Sequence, residues 1–351
     1  MASRKARLKD IAKLSGVSIG TVDRVLHDRG EVAEKTRLKV LEIARELNYT
    51  PNLMAQVLKT KKPYNLVSLL PSPTDDNTFW VKHPAGMEKA MAELDPFPIN
   101  LTQLNFDLTD EVDFAKRARS VLELKPDGVL LAPIFMSESI SFCALLDKAR
   151  IPFVFVDGYI QETNFLSYTG ENVFQSGKVA GQLLQMITPE NKDLLIINLT
   201  RNLQNVHHLS NRTKGFMSYF ENNGKRSGKM ISLNISDTST DYIARELKGV
   251  LGKKTNIGSI FVSGSKSFKI ADYLASNGIS GINLIGYDLL DRNVGYLKEG
   301  TIRFLIGQRP DEQTYKGIRK LFDFLSSGKV PGRMEYLPID VVTSENVDFF
   351  V

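Results

Sequence analysis

The sequence predicts two kinds of fold on one chain: a small all-α head, then an α/β body of two lobes built on parallel sheets. Three observations carry this. Basic charge collects at the start: residues 1–62 hold 14 Lys and Arg against 7 Asp and Glu, a net of +7, while the remainder, 31 against 33, nets −2. The first 60 or so residues read as short helices joined by polar turns. After Pro63 the texture changes, and short apolar runs alternate with helical stretches about a dozen residues long, the pattern of parallel sheets flanked by helices. At 351 residues the chain is about twice the size of one domain.

Composition narrows the classes. Hydrophobic residues make up 42% and charged residues 24%, which suits a soluble globular protein with a substantial core. The single cysteine, Cys143, excludes an internal disulfide framework and a Cys-rich zinc site, and in an apolar helix it is expected buried and inert. No run reaches the roughly 18 apolar residues of a membrane helix. The opening Met1-Ala2-Ser3-Arg4-Lys5-Ala6-Arg7 has no apolar run behind its charges, so it does not read as a secretory signal, and a cytoplasmic protein is expected. Charge asymmetry of this kind points to a nucleic-acid-binding head, or else to a basic tail that only solubilises the chain.

In the head, residues 8–14 form one helical stretch. Gly16-Val17-Ser18 is a turn, and Ser18 can cap a second helix to about Leu26. A third helix runs from about Glu34 to Leu47, with Val40, Ile43, Ala44 and Leu47 at i, i+3, i+4 and i+7. Tyr49-Thr50-Pro51 breaks it, and Asn52 to Leu58 can form one more short helix before Lys61-Lys62-Pro63. From Leu8 to Leu26 the chain fits a helix-turn-helix. Ala12 is small where the second helix crosses, and Gly16 supplies the positive φ of the turn. Ile11, Val17, Val22 and Val25 lock the crossing, leaving Ser18, Ile19, Gly20, Thr21 and Arg24 facing outward toward a major groove.

In the body, strands are expected at 66–70, 128–132, 153–156, 194–199, 259–262 and 282–286. Helices are expected at 87–94, 114–124, 140–149, 176–186, 213–221, 243–251 and 268–276. About 290 residues of this alternation is large for one sheet, hence two lobes. Ligands bind beyond the carboxyl ends of parallel strands, and two lobes let those ends face one cleft.

The motifs of the head resemble the LacI/GalR family of bacterial transcription regulators. The match covers the helix-turn-helix, then Val32-Ala33-Glu34-Lys35-Thr36-Arg37, Leu47-Asn48-Tyr49-Thr50-Pro51-Asn52 and Ala55-Gln56-Val57-Leu58. The resemblance implies a DNA-binding head at 1–51, a hinge helix and linker at 52–63 and an effector-binding, dimerising body at 64–351. That body is expected to be a type I periplasmic-binding-protein-like domain, with lobe 1 at about 64–160 plus 306–328 and lobe 2 at about 161–305 plus 329–351. It places Ile19 and Gly20 at the main base-reading positions. Ser18, Thr21, Arg24, Thr36 and Asn52 then hold phosphates. Asn52 to Leu58, with Ala55 against DNA, looks like a hinge helix whose Leu58 is a minor-groove wedge; the bland reading is an ordinary amphipathic leucine. Three departures stand out. Ile19 and Gly20 offer no hydrogen bond to a base edge, so direct readout is thin. Asp23 would repel phosphate unless paired with Arg24 or Arg29. Ala33 replaces a capping Ser or Thr, a loss of about 1 kcal/mol.

For the cleft the resemblance implies a sugar-sized effector. Asn77, Phe79 and Trp80 follow the first strand, where related sugar binders place aromatic rings, although both rings also fit the core of the next helix. Arg212 resembles the arginine that the family presents to ligand oxygens, a fork for paired hydroxyls or a carboxylate. Asp288 closes a strand over the cleft, and Gln308 matches a further polar position. Asp157 is a ligand candidate or a structural acid near the lobe crossover. His207 and His208 are expected on a solvated loop. Where many relatives carry Asn-Asp, this chain reads Ser263-Gly264-Ser265-Lys266, and Phe135 stands near a position where sugar binders can have an acid, so the effector is expected to be a modified or acidic sugar, or something else.

These readings add up to a ligand-responsive regulator, the expected partners being a near-palindromic operator, a sugar-like effector and a second copy of the chain in a homodimer. No cofactor, metal or catalytic residue is expected. There is no dinucleotide fingerprint or nucleophile elbow, and Gly249-Val250-Leu251-Gly252-Lys253-Lys254-Thr255 has the wrong spacing for a phosphate loop. An enzyme or a transport-type binding protein are the alternative classes.

Overall fold

The structure, a computed structural model, describes residues 6–26, 30, 32–47, 49, 62–74, 78–200, 207–223, 227–252 and 255–351. The expected hinge helix, with Asn52, Ala55 and Leu58, and the candidate Asn77 lie outside the described residues.

The head is three helices, α1 (Leu8–Ser15), α2 (Ile19–Leu26) and α3 (Glu34–Glu46). Ile11, Val22 and Val40, one from each helix, are fully buried, and Ala12, Val25 and Ala44 close the core around them. Gly16 ends α1 at φ 72°, a left-handed conformation, with its N–H donating to the Ala12 carbonyl. Ser18 caps α2: its Oγ accepts from the Thr21 N–H at 3.1 Å. Ala33 precedes α3 with no side-chain cap, as its residue type dictates.

The body holds two six-stranded sheets. The first has the order β11-β5-β4-β3-β1-β2, built from β1 (Tyr64–Pro71), β2 (Ile99–Phe106), β3 (Gly128–Leu131), β4 (Phe153–Val156), β5 (Ser167–Gly170) and β11 (Met334–Tyr336), all parallel. The second has the order β12-β10-β9-β8-β6-β7, from β6 (Asp193–Leu199), β7 (Met230–Ile235), β8 (Ile257–Val262), β9 (Asn283–Tyr287), β10 (Ile302–Gly307) and β12 (Asp340–Val342). Here β12 alone runs antiparallel, against β10. The central strands are buried along their whole length, as both faces carry helices.

Helices of the first lobe are α4 (His83–Leu94), α5 (Glu111–Glu123) and α6 (Met136–Ala149). Those of the second are α7 (Val173–Ile187), α8 (His207–Asn223), α9 (Thr240–Val250), α10 (Ser267–Ser276) and α11 (Asp291–Lys298). The long α12 (Pro310–Ser327) returns to the first sheet and packs over β1, β3, β4 and β5.

Sheet membership corrects the expected division of the lobes. β5 and β11 lie beyond residue 160 and beyond residue 329, yet both pair in the first sheet, while β10 to Gly307 belongs to the second. The chain therefore crosses between sheets three times: from β5 into α7, from β10 into α12, and from β11 into β12. His207 and His208 open helix α8 instead of lying on a loop. Cys143 is buried, and burial first, then the charge of Asp147, pushes its thiol up to about 12. Among the described residues no helix is long and apolar enough to cross a membrane, and no group of acids, histidines and cysteine could hold a metal ion.

Candidate functional site

The strand ends of the two sheets meet at a buried cluster of charged side chains. Asp157 directly follows β4 and Asp288 directly follows β9, and both residues hold a positive φ, 64° and 69°. Such a backbone is unusual for a residue with a Cβ. It turns each chain sharply off its strand at the cleft. Glu171 and Gln308 lie in the first and second crossovers.

Arg212 sits at the centre, only 2% exposed. Its position depends on how closely α7 and α8 approach. A Cβ at Gly177 would run into the Arg212 carbonyl, and one at Gly215 into the Phe174 carbonyl, so glycine at both allows the two helices to meet backbone to backbone. Arg212 Nε donates to Glu171 Oε1 at 2.7 Å, and Nη2 donates to the same oxygen. Nη2 also donates to Gln308 Oε1 at 2.6 Å, and Nη1 to the Ser263 carbonyl at 3.1 Å. The guanidinium plane lies 3.8 Å from the Tyr287 ring centre, a cation–π contact.

Around it the polar groups are chained. Gln308 Nε2 donates to Asp288 Oδ1 at 2.8 Å. Gln313 Nε2 donates to the Gln308 carbonyl at 2.9 Å, and Gln313 Oε1 accepts from the Asp157 N–H at 2.7 Å. Thus the lobe-1 acid and the lobe-2 acid are tied through the start of α12. Behind Arg212, Ser263 Oγ and Thr213 Oγ1 both donate to Asn198 Oδ1, at 2.5 and 2.9 Å. Ser263, which opens the segment Ser263-Gly264-Ser265-Lys266, is used as a scaffold here.

Burial without enough cations raises the acids. Asp288 is pushed up to about 7 by desolvation, against the opposing pull of Arg212 and of the Gln308 hydrogen bond. Asp157 rises to about 6 for the same reason, again opposed by Arg212. Arg212 is itself held above its ordinary range: burial works against its charge, and Glu171, Tyr287 and Asp288 outweigh it.

A cavity beside this cluster is walled by Ile134, Met136, Tyr159 and Tyr168 from the first lobe and by Val173 and His208 from the second. Tyr168 links it to the charged cluster, since its hydroxyl donates to the Glu171 carbonyl at 2.9 Å.

Of the sequence candidates, Asp157, Arg212, Asp288 and Gln308 are brought together. Phe79 and Trp80 are not brought to this cavity. Both are core residues, 6% and 3% exposed, among Met87, Ile318 and Phe322. The Trp80 ring is already stacked on His83, with ring centres 4.4 Å apart, so the expected stacking on a sugar gives way to packing in the core. Glu171, Tyr287 and Gln313 were not foreseen. The signal for Glu171 was the pair Glu171-Asn172, an acid just before a capping asparagine whose Oδ1 accepts from the Gln175 N–H.

In the head, Ser18, Ile19, Gly20 and Arg24 are exposed on one side of α2, with Thr21 half-buried between them and Thr36 half-buried at the start of α3. Ile19 is 52% exposed, an apolar side chain left half open to solvent. Arg24 Nε donates back to the Gly20 carbonyl at 3.3 Å, a weak tether. Asp23 lies near Tyr49, whose hydroxyl is raised by burial and then by that charge. Among the described residues no ion pair joins Asp23 to Arg24.

A two-lobed parallel-sheet body closing on a polar cluster, carrying a separate helix-turn-helix, defines a ligand-binding domain fused to a DNA-reading head. Comparison with known proteins agrees on both parts. The periplasmic binding protein domain family matches residues 67–329, and the family described as bacterial regulatory proteins, lacI family, matches residues 7–52. The chain belongs to the periplasmic binding protein domain family through its body, and its head is a lacI-family DNA-binding domain. It is 32% identical over 180 residues to the HTH-type transcriptional regulator RegA of Clostridium saccharobutylicum, covering 51% of each chain. It is 26% identical over 255 residues to the ribose operon repressor of Lactococcus lactis subsp. lactis, covering 72% of this chain and 70% of that one. The crystal structure of a candidate LacI transcriptional regulator from Bacteroides fragilis superposes with a TM-score of 0.76 at 29% identity, over 82% of this chain and 99% of that chain. The chain spans about half the length of a curated relative such as RegA.

Proposed function

We propose that the protein is a sequence-specific transcriptional regulator of the bacterial cytoplasm. As a homodimer it places two heads on a near-palindromic operator. Its affinity for DNA is set by a sugar or sugar derivative held between the lobes. It is a binding protein and not an enzyme. The observation that carries this reading is the pairing of an exposed α2 face with a buried polar cluster at three lobe crossovers, two of which contribute a side chain to Arg212.

In this reading Ser18, Thr21, Arg24 and Thr36 hold phosphates, while Ile19 makes apolar contact with thymine methyl groups. Asn52 and Ala55 support the hinge, and Leu58 acts as the minor-groove wedge. Asp157, Arg212, Asp288 and Gln308 face the effector, directly or through one another. Movement of one lobe on the other changes the spacing of the two heads, a coupling usually worth about 1–3 kcal/mol.

The test is selection of operator sequences from randomised DNA, followed by fluorescence anisotropy at several salt concentrations with and without candidate sugars. A two-fold symmetric selected site with steeply salt-dependent binding supports the reading. Binding that shows no sequence preference, or no response to any sugar that stabilises the protein, overturns it.

A further inference from the structure

The cluster that receives the effector in the proposed regulator has an unusual balance of donors and acceptors. Among the described residues its one buried cation, Arg212, is almost fully engaged. Four of the five N–H donors of Arg212 are spent on Glu171, Gln308 and the Ser263 carbonyl, and one face of the guanidinium is covered by Tyr287. The arginine therefore has little left to fork a ligand's carboxylate or phosphate.

Its acceptors are the opposite. Three buried carboxyl groups, Asp157, Glu171 and Asp288, share that single guanidinium. Glu171 Oε2 is buried with no hydrogen-bond partner, while Oε1 takes both bonds from Arg212. Among the described residues the Asp157 carboxylate accepts no hydrogen bond, and Asp288 is held through Oδ1 alone. A buried acceptor left unpaired costs roughly 1–3 kcal/mol, and more when charged, so the site gains from a ligand that brings donors. A ligand that brings negative charge adds to an unneutralised surplus in a poorly solvated place.

We infer that the effector carries no negative charge: it is a neutral or ammonium-bearing polyhydroxy molecule, a sugar or an amino sugar, and the cleft rejects sugar acids and sugar phosphates. Its hydroxyl or ammonium hydrogens are received by Glu171 Oε2, Asp157 and the free oxygen of Asp288, while Arg212 serves as their counter-charge. The inference rests on the proposed effector role of this cleft. It reverses the acidic-sugar expectation drawn from Ser265 and Lys266.

The experiment is isothermal titration and thermal shift of the full-length protein against matched sets that share a ring and differ in charge: glucose, glucosamine, glucuronate and glucose 6-phosphate, then the galactose set, then ribose with ribose 5-phosphate. The expected result is stabilisation by a neutral or amino member, with its acid or phosphate counterpart at least about ten-fold weaker. Glu171→Gln should lower affinity for the amino member more than for the neutral one. An acid or phosphate that binds as tightly as its neutral parent overturns the inference, and so does the absence of binding by every neutral and amino member. Each binding ligand is then added to the protein–operator complex. A neutral ligand that binds tightly and leaves DNA affinity unchanged upholds the charge preference and overturns the regulator reading instead, so the two failures are distinct.

Discussion

Replacing Arg212 with methionine removes the one buried cation found among the described residues from a cluster of three buried carboxyl groups. The lost interactions are two donations to Glu171, one to Gln308, one to the Ser263 carbonyl and the contact with Tyr287. Breaking a buried ion pair from one side costs about 3–5 kcal/mol, because the partner charge is left uncompensated. At about 2 °C per kcal/mol for a large domain, the unfolding midpoint of the body should fall by roughly 6–10 °C near neutral pH. The loss depends on pH. Asp157 and Asp288 already stand at about 6 and about 7, above the 3.8 of an exposed aspartate, and in both Arg212 opposes the rise. Without it both move higher. An acid whose folded value exceeds its unfolded value loses stability as pH rises from the unfolded to the folded value. The deficit of Arg212→Met should therefore be larger near pH 8 than near pH 5, where protonation relieves the surplus. Differential scanning calorimetry at both pH values measures it. A deficit below about 2 °C, or one that does not shrink in acid, would refute the account of a single counter-charge.

Three further outcomes are expected. Gly177→Ala should destabilise the body although alanine is the better helix former by about 1 kcal/mol, because the new methyl meets the Arg212 carbonyl across the α7–α8 contact; an unchanged or raised midpoint would show that the helices can separate without cost. Ala33→Ser should stabilise the head by about 1 kcal/mol, since α3 begins without a side-chain cap, and chemical denaturation of the head transition will show no gain if the cap is unneeded. His83 is buried, and burial pulls it down to about 3 against the weaker upward pull of backbone hydrogen bonds at Phe79 and Trp80. A base lowered in this way loses stability as pH falls from about 6.5 toward 3, so His83→Phe should flatten the acid limb of the stability curve; superimposable acid limbs for the two proteins would count against it.

The head was the most legible part of the chain, because a helix-turn-helix writes its geometry into single residues. Ala12, Gly16 and Ser18 each do what their residue type dictates. In the body, the central strands β3, β4 and β8 were legible as unbroken apolar runs. β2 and β7 were not, since they lie at sheet edges and alternate exposed with covered positions. β5 reads Ser167-Tyr168-Thr169-Gly170, four buried residues that look like a turn. Lys320 from α12 explains how its polar groups are tolerated, donating to Ser167 Oγ at 2.9 Å and to Thr169 Oγ1 at 2.6 Å. Missing β5 shifted the expected lobe boundary and hid Glu171, which follows it directly. Arg212, Asp157, Asp288 and Gln308 were found because they follow strands or match a family position. That Arg212 would spend its donors on protein groups was not readable, because it depends on a carboxylate 41 residues away in sequence.

The three crossovers are stitched to one another, and this sets the scale of any switch. The Leu337 N–H donates to the Gly170 carbonyl at 2.8 Å, joining the third crossover to the first. Arg309 grips Asp340 through Nε and Nη2, both at 2.7 Å, joining the second to the third. Arg212 joins the first to the second through Glu171 and Gln308. The first two stitches involve no group of the proposed effector cluster. The third lies inside that cluster, and it is the one a ligand can alter. A charge-assisted hydrogen bond contributes about 1.5–3 kcal/mol net, the size of a typical coupling between two sites. A ligand that takes up Glu171 Oε2 or the open oxygen of Asp288 therefore needs to re-aim only one or two bonds to bias the lobes. Asp288 reaches Arg212 only through Gln308, so a ligand on Asp288 acts on the second crossover, whereas one on Glu171 acts on the first. Gln308→Ala should break that division: the body should still bind its effector, more weakly, while the effect of effector on operator affinity falls toward none. Retention of the full effect in that variant would place the switch elsewhere.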